Sequence, residues 1–195
     1  AGVTFNIHHC CNSAGTLELP DFHREMIRPG IIQYGYDASK EVLVTGTKIK
    51  PVMSLRCCIT HLKTIYEGDC VGYGRHFTAK GPTKIATLPI GYADGYNRAL
   101  SSKIDVIVHG VRAHQVGNIC MDQCMIDVSH IPDVKVGDEV VLFGEQGSEC
   151  VSADEIADTC HTIIHEITCN INRRVPRVYV QNGKIVQRLE YLTQS

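Results

Sequence analysis

The chain has 195 residues, of which 44% are hydrophobic and 21% are charged, and its formal net charge is −2 at pH 7. These fractions are ordinary for a globular protein with a core of normal size, and the lack of a basic block argues against nucleic-acid binding. No apolar run approaches the roughly 18 residues that cross a bilayer, so we expect neither a membrane nor a nucleic acid as a partner.

Ten cysteines are spread along the chain, and two pairs are adjacent, Cys10-Cys11 and Cys57-Cys58. Cysteines with apolar neighbours are typical of small buried side chains in a reducing compartment, which predicts a cytoplasmic protein. The disulfide framework of a secreted protein is the alternative. No two cysteines have the two-residue spacing of a zinc knuckle, so we expect no metal site.

The first 38 residues have the pattern of an α/β fold. Val3–His9 predicts a buried strand, and the small residues Cys11–Gly15 form a loop at its end. A short helix over Pro20–Met26 and an apolar strand over Ile31–Tyr36 follow. Loops after strands expose N–H groups and hydroxyls, which can bind a phosphate. By itself this pattern is only a weak indication of a phosphate site.

From about residue 41 onward the pattern is that of β-strands. Gly, Asp and Pro residues separate short apolar runs at regular intervals, which predicts an all-β barrel or sandwich with a domain junction near Asp37–Glu41. The predicted strands are Val42–Ile49, Val52–Ile65, Cys70–Ala79, Lys84–Ile90, Ile104–His109, Ala113–Met121, Cys124–Val128 and Val140–Phe143.

One helix and one hairpin complete the predicted elements. Ser152 and Glu155 form a capping-box pattern before an apolar stripe at helical spacing, which predicts a helix near residues 152–168. The Asn182-Gly183 turn then predicts a terminal hairpin between Arg174–Val180 and Ile185–Tyr191.

The stretch from Val71 to Arg98 brings two tyrosines into glycine-rich bends, Gly72-Tyr73-Gly74 and Gly91-Tyr92-Ala93-Asp94-Gly95. Glycine beside tyrosine permits a sharp backbone from which the phenol projects into a cleft. The simplest interpretation is a hairpin with tyrosines at its edges, turning at Gly81-Pro82. Tyrosines in such a hairpin share a face only if their strands pair.

The order of the motifs along the chain is more specific than any one of them. The segments are HHCCNSAG, MIRPGIIQYGY, VGYGRHFTA, LPIGYADGYNR, GNICMDQCMIDV, VGDEVVLFG and RVPRVY. Together they resemble alanine racemase, a pyridoxal 5'-phosphate (PLP) enzyme that works as a head-to-tail homodimer. The resemblance implies that residues 1–38 are the C-terminal remnant of a (β/α)8 barrel and that residues 39–195 form the β-rich C-terminal domain.

The resemblance implies the residues that hold the cofactor. Ser13, Gly30 and Ile31 fall where the PLP phosphate is bound, and Arg28 falls where an arginine faces the pyridine nitrogen. His165 occupies a position where a tyrosine near the phosphate and the substrate methyl group is usual.

The resemblance also implies the catalytic and substrate-binding residues. Tyr73 matches the tyrosine that acts on one face of the substrate Cα while a lysine acts on the other, because racemisation needs a base on each face. Tyr92 matches a residue lining the entrance, and Met121 and Asp122 match the strand whose backbone receives the substrate carboxylate. In the family these β-domain residues complete the active site of the partner subunit, and the enzyme supplies D-alanine for peptidoglycan.

The sequence departs from the family pattern at three points. No lysine lies in the motif of the PLP-carrying lysine, so we expect a C-terminal fragment that is inactive alone. His165 and Asn118 replace a usual tyrosine and a common arginine, which leaves a serine or broad-specificity racemase as an alternative. A non-catalytic β module for dimerisation or binding is the alternative of a different class.

Overall fold

A computed structural model describes residues 2–38 and 49–192. The chain divides into two compact units, Ala1–Met53 and Ser54–Ser195. The structure is mainly β, as the sequence predicts, with short helices. Within the described residues no helix combines the length and the apolar character that a membrane crossing requires.

In the described residues of the first unit there are one short helix, α1 (Ser13–Glu18), and two 3₁₀ turns, Pro20–Phe22 and Ile31–Tyr34. The side chain of Asn12 caps α1 by accepting a hydrogen bond from the Gly15 N–H at 3.0 Å. Asparagine is among the preferred N-cap residues because its oxygen satisfies an N–H that the first helical turn leaves without a partner.

The strand predictions in this unit are wrong where the structure describes them. Val3–His9 is exposed and forms no strand with any described residue, and a strand without a hydrogen-bonding neighbour has no ladder. The predicted strand over Ile31–Tyr36 is a 3₁₀ turn, which ends at Gly35 with φ 78°. The predicted helix over Pro20–Met26 extends only to Phe22. Most of the predicted strand Val42–Ile49 lies outside the described residues.

The second unit consists of antiparallel strands. They are β1 (Leu55–Cys58), β2 (His61–Ile65), β3 (Cys70–Val71), β4 (Phe77–Thr78), β5 (Thr83–Leu88), β6 (Asp105–Val108), β7 (Val111–Val116), β8 (Cys124–Asp127), β9 (Glu139–Gln146), β10 (Glu149–Val151), β11 (Arg177–Gln181) and β12 (Lys184–Leu189). The main sheet has the order β1-β9-β6-β7-β8-β5-β2, and β10 pairs with β9. The pairs β3–β4 and β11–β12 form separate two-stranded sheets.

The centre of the main sheet is buried on both faces. In β6 the side chains of Val106, Ile107 and Val108 are fully buried, and in β9 Val140 and Val141 are as well. Fully burying a side chain of this size stabilises the fold by roughly 1.5–3 kcal/mol. These strands therefore read in the sequence as continuous apolar runs and not as an alternation of apolar and polar residues.

Two of the long predicted strands are interrupted by glycines with positive φ. The predicted strand Cys70–Ala79 is the short pair β3–β4 around a turn that contains Gly72 and Gly74. The predicted strand Ala113–Met121 ends at Val116, because Gly117 has φ 72° and turns the chain away from the sheet.

The single predicted helix is two helices, α2 (Ala153–Thr159) and α3 (Ile164–Asn170), separated at His161 with φ 56°. Ser152 caps α2 by accepting from the Glu155 N–H at 3.0 Å, as predicted. The Glu155 carboxylate does not complete the capping box and instead accepts hydrogen bonds from Arg112 at 2.8 and 3.0 Å. The terminal hairpin forms as predicted around Asn182-Gly183, with φ 51° and 73°.

Candidate active site

The first residue of α1, Ser13, and the residue before the second 3₁₀ turn, Gly30, lie beside each other in the first unit. The Gly30 N–H donates to the Ser13 hydroxyl at 2.9 Å, and the Arg28 N–H donates to the Cys11 carbonyl at 2.9 Å. Ser13 is buried, Ile31 directly follows Gly30 and is buried too, and the Arg28 side chain is exposed. The structure thus brings together, within this unit, the residues that the resemblance assigns to the phosphate.

Tyr73 lies in a turn with several positive φ angles. Gly72, Gly74 and Arg75 have φ 72°, 78° and 53°, and the Tyr73 side chain between them is 78% exposed. Arginine pays a steric cost in this region, so neighbouring contacts must hold the turn.

The principal contact comes from Asn118, whose side-chain amide donates to the Tyr73 carbonyl at 2.8 Å. A Cβ on Gly72 would lie 3.6 Å from both the N and the O of Asn118, so the two backbones pass close together. Because the Asn118 amide is hydrogen-bonded to backbone, this contact gives no support to a role for Asn118 in selecting serine as a substrate.

A buried glutamine holds the corner that presents Asn118. Gln115 is fully buried, and its amide donates to the carbonyls of Val116 and Gly117 at 3.1 and 3.0 Å. Its oxygen accepts from the Ser102 N–H at 2.6 Å, so each polar atom of the side chain has a partner. Sequence reasoning missed Gln115, although a glutamine in an apolar strand is a signal of such a network.

Tyr92 lies in a second tight turn, which is hydrogen-bonded to the segment that follows Asn118. The Tyr92 N–H donates to the Cys120 carbonyl and the Ala93 N–H donates to the Met121 carbonyl, each at 3.0 Å. A Cβ on Gly91 would lie 2.2 Å from the Cys120 oxygen. Only glycine therefore permits this approach of the two backbones.

The far side of the Tyr92 turn packs as closely against the end of α3. A Cβ on Gly95 would lie 2.2 Å from the Asn170 carbonyl oxygen, and the Asn172 N–H donates to the Asp94 carbonyl at 2.9 Å. The turn is thus held between two segments that are distant in sequence. An open cleft of about 450 Å³ adjoins it, lined by Tyr92, Gly95, Asn97, Arg98 and Asn170.

Arg174 bridges two carboxylates, that of Asp94 in the Tyr92 turn and that of Asp122 in the segment that follows Asn118. Its Nε donates to Asp94 at 2.6 Å and an Nη donates to Asp122. These bonds, that to Asp94 first, raise the pKa of the Arg174 guanidinium above its ordinary value. Asp94 also caps its own turn by accepting from the Gly91 N–H at 2.8 Å. Asp122 is thus paired with Arg174, which sequence reasoning did not single out.

The predicted site residues of the second unit are arranged around one segment, Gly117–Asp122. The Tyr73 turn is bound to its start through Asn118, and the Tyr92 turn is bound to Cys120 and Met121. The expected pairing of two tyrosine-bearing strands does not form, because β4 pairs with β3 while β5 pairs with β2 and β8. His165 lies in the first turn of α3, and its side chain is exposed.

The ten cysteines and ten histidines of the sequence are potential metal ligands, and the cysteines are potential disulfide partners. No group of three or more His, Cys, Asp or Glu side chains in residues 2–38 and 49–192 is arranged to hold a metal ion. The ten cysteines are free thiols. Burial raises the pKa of the Cys57 thiol to about 12, as expected of a small apolar side chain with little thiolate character.

The sequence matches two family models. Residues 52–179 match the model of the alanine racemase C-terminal domain, and residues 1–38 match the model of the alanine racemase N-terminal domain. Alanine racemase 1 of Clostridium acetobutylicum is 48% identical over 190 residues, which cover 97% of this chain and 49% of that protein. Alanine racemase of Clostridium tetani is 49% identical over 192 residues, which cover 98% of this chain and 50% of that protein.

Solved structures give the same result for the fold. The alanine racemase of Bacillus anthracis with bound L-Ala-P has a TM-score of 0.93 and 38% identity, over 98% of this chain and 49% of that one. The Clostridium difficile alanine racemase in complex with cycloserine has a TM-score of 0.91 and 44% identity, over 98% of this chain and 50% of that one. The chain thus spans about half the length of the relatives it matches. Since the C-terminal family model alone covers more than half of its residues, the chain belongs to the alanine racemase family.

Proposed function

We propose that this chain is the C-terminal portion of a PLP-dependent alanine racemase that interconverts L- and D-alanine with a tyrosine and a lysine as its two bases. The observation that carries the proposal is the arrangement around Gly117–Asp122, to which the Tyr73 and Tyr92 turns are both hydrogen-bonded. A β module that served only for dimerisation would have no need of a strained tyrosine turn and two sterically required glycines.

The residues of the first unit fit the phosphate of PLP. The Ser13 hydroxyl accepts from the Gly30 N–H, and a hydroxyl that accepts one hydrogen bond can donate another, as hydroxyls do when they bind phosphate without adding charge. We assign the phosphate to Ser13, Gly30 and Ile31, the pyridine nitrogen to Arg28, and a position near the phosphate to His165. When bound, PLP supplies an electron-withdrawing ring that acidifies the Cα–H of the substrate.

Arg28 tunes this chemistry through its permanent charge. A guanidinium keeps its proton at any working pH, so a nitrogen that faces it stays unprotonated. Arg28 would in this way make a bound pyridine ring a weaker electron acceptor, which would restrain side reactions of the substrate.

Tyr73 moves the proton on one face of the substrate. As a phenolate, its oxygen takes the Cα proton of one enantiomer and becomes the phenol, and in the reverse direction the phenol returns that proton to the same face. A lysine, for which no residue of this chain matches the family motif, acts on the opposite face. Met121 and Asp122 present backbone to the substrate carboxylate, and Tyr92 narrows the entrance.

The assembly that we propose is a homodimer in which the β-rich domain completes the active site of the partner subunit. Residues 1–38 then belong to the cofactor barrel and residues 39–195 to that β-rich domain. We place the enzyme in the cytoplasm, where its D-alanine supplies peptidoglycan, and we propose that the 195-residue chain by itself is inactive.

The test is alanine racemisation by the full-length protein that contains this chain, with PLP present. Because general acid–base catalysis contributes about 10²–10⁴-fold, Tyr73→Phe should lower kcat by that factor. Tyr179→Phe, in the exposed terminal hairpin, is the matched control and should retain full activity. Wild-type protein without racemase activity would favour the binding module, and an active Tyr73→Phe variant would remove Tyr73 from the mechanism.

A further inference from the structure

We infer that Asn118 is a positioning residue for Tyr73, which it holds through the backbone and not through the phenol. The inference rests on the proposed function, because positioning has meaning only if Tyr73 moves the substrate proton. The inference gives Asn118 a role of its own at a position where the family commonly has an arginine.

The Tyr73 turn has little support of its own. Gly72, Gly74 and Arg75 all have positive φ, and β3 and β4, which flank the turn, are two residues each. A two-stranded ribbon of this length is not stable in isolation. The orientation of the exposed phenol is therefore decided by whatever fixes the turn to the rest of the unit.

Asn118 provides the side-chain hydrogen bond of that connection, beside the packing of Val71 and Phe77 from the flanking strands. Its amide donates to the Tyr73 carbonyl at 2.8 Å, which fixes the peptide directly after the Tyr73 Cα. The contact is close on both sides, since a Cβ on Gly74 would lie 3.5 Å from the same amide nitrogen and one on Gly72 would lie 3.6 Å from the Asn118 backbone.

Asn118 is itself rigidly placed. The Gly117 N–H donates to the Ser102 hydroxyl at 3.0 Å, and the Gly117 carbonyl accepts from the fully buried Gln115 at 3.0 Å. The next residue, Ile119, is buried and donates its N–H to Ser101 at 3.0 Å. A network anchored on a buried side chain whose polar atoms all have partners, here Gln115, fixes one geometry, and Asn118 transmits it to Tyr73.

The chemical consequence concerns one of the two proton transfers. A misplacement of about 1 Å costs up to about 10²-fold in rate, and loss of the Asn118 bond releases the tyrosine but not the lysine of the opposite face. The transfer involving Tyr73 then becomes rate-limiting. The equilibrium constant between two enantiomers is one, so kcat/KM must fall by the same factor for L- and D-alanine. The unequal effect on the two proton transfers therefore appears in the isotope effects and not in the ratio of the two kcat/KM values.

The experiment uses the full-length, PLP-loaded protein and alanine deuterated at Cα. In Asn118→Asp, which keeps the shape but replaces the donor by a carboxylate, kcat/KM should fall about ten- to a hundredfold. The deuterium isotope effect should rise for the enantiomer whose hydrogen Tyr73 removes and decrease towards one for the other. Asn118→Ala, which adds no charge, should show the same pattern. Asn182→Asp, at the tip of the terminal hairpin, carries the same charge change and should match wild type.

A second readout is independent of catalysis. Hydrogen–deuterium exchange of the full-length protein without PLP, followed by mass spectrometry, should show faster exchange at Gly74 and Arg75 in both Asn118 variants. Equal isotope effects in wild type and variants, with unchanged exchange at this turn, would overturn the inference. If wild-type protein does not racemise alanine, the proposed function fails, and the exchange data then decide by themselves whether Asn118 holds the turn.

Discussion

At the scale of single residues, the side chains that support the site are those with distant partners. Arg174 pairs with carboxylates that lie 80 and 52 positions away in the sequence. The Asp94 side chain is 10% exposed, whereas the Asp122 side chain is 61% exposed. The two halves of this bridge therefore differ in energy, because a buried charge that loses its partner is costly and an exposed one is readily hydrated.

We predict that Arg174→Gln destabilises the protein far more than Asp122→Asn does. Removing Arg174 leaves the Asp94 carboxylate, whose side chain is only 10% exposed, without a countercharge, so the loss of stability should be several times that of Asp122→Asn. Asp122→Asn should cost less than about 1 kcal/mol. Urea unfolding of the full-length protein measures both.

A variant that removes both charges separates the two effects. In Asp94→Asn/Arg174→Gln no uncompensated charge remains, so the double variant should recover part of the stability that Arg174→Gln loses. Equal losses for Arg174→Gln and Asp122→Asn would contradict the unequal bridge described above.

At the scale of elements, the site depends on turns whose glycines are required by steric contact. Gly91 brings the Tyr92 turn against the carbonyls of Cys120 and Met121, to which a Cβ would lie 2.2 and 2.4 Å away. Gly81, in the loop between β4 and β5, has no heavy atom within 4 Å of the corresponding position. Both are glycines in turns or loops of the sequence. They differ in the fold, where backbone atoms occupy the Cβ position of Gly91 and none lies near that of Gly81.

We predict that Gly91→Ala lowers stability by about 2–3 kcal/mol, the upper part of the range for overpacking, because the atoms in the way are backbone. The displaced Tyr92 turn should also raise KM for alanine in the full-length enzyme. Gly81→Ala is the matched control and should alter stability by less than about 1 kcal/mol, in either direction. A Gly91→Ala variant with wild-type stability and kinetics would show that the turn need not lie so close to Met121.

The same elements explain what could be predicted from the sequence. Strands β5, β6, β8 and β9 have apolar runs that the burial of the main sheet requires, so their existence was predicted and only their ends differed. The predicted strand after Ala113 was too long because Gly117 turns the chain through a contact with Ser102 that no local pattern contains. The candidate tyrosines were found from local motifs, whereas Asn118, Gln115 and Arg174 acquire their roles from pairings that form only on folding.

At the scale of the whole molecule, the chain contains two compact units and covers about half of each relative that it matches. The candidate phosphate-binding residues Ser13, Gly30 and Ile31 lie in one unit, and Tyr73 lies in the other. In the proposed homodimer these two sets of residues serve different active sites, so each site draws on two subunits. Racemase activity should then require the dimer to assemble, in addition to the presence of the catalytic residues in each chain.

We predict that the 195-residue chain alone, supplied with PLP, does not racemise alanine, and that activity appears when the separately expressed upstream part of the protein is added. The physical reason is that racemisation needs a base on each face of Cα, and this chain offers the tyrosine without a lysine in the family motif. The activity of the mixture should rise with the concentration of both parts, because association supplies the missing base by mass action. Tyr73→Phe in this chain should abolish most of it, whereas Tyr179→Phe should not. Activity of the chain alone would mean that another amine of residues 1–195 carries PLP. If the full-length protein is active and the mixture is not, the two parts must be joined covalently to assemble.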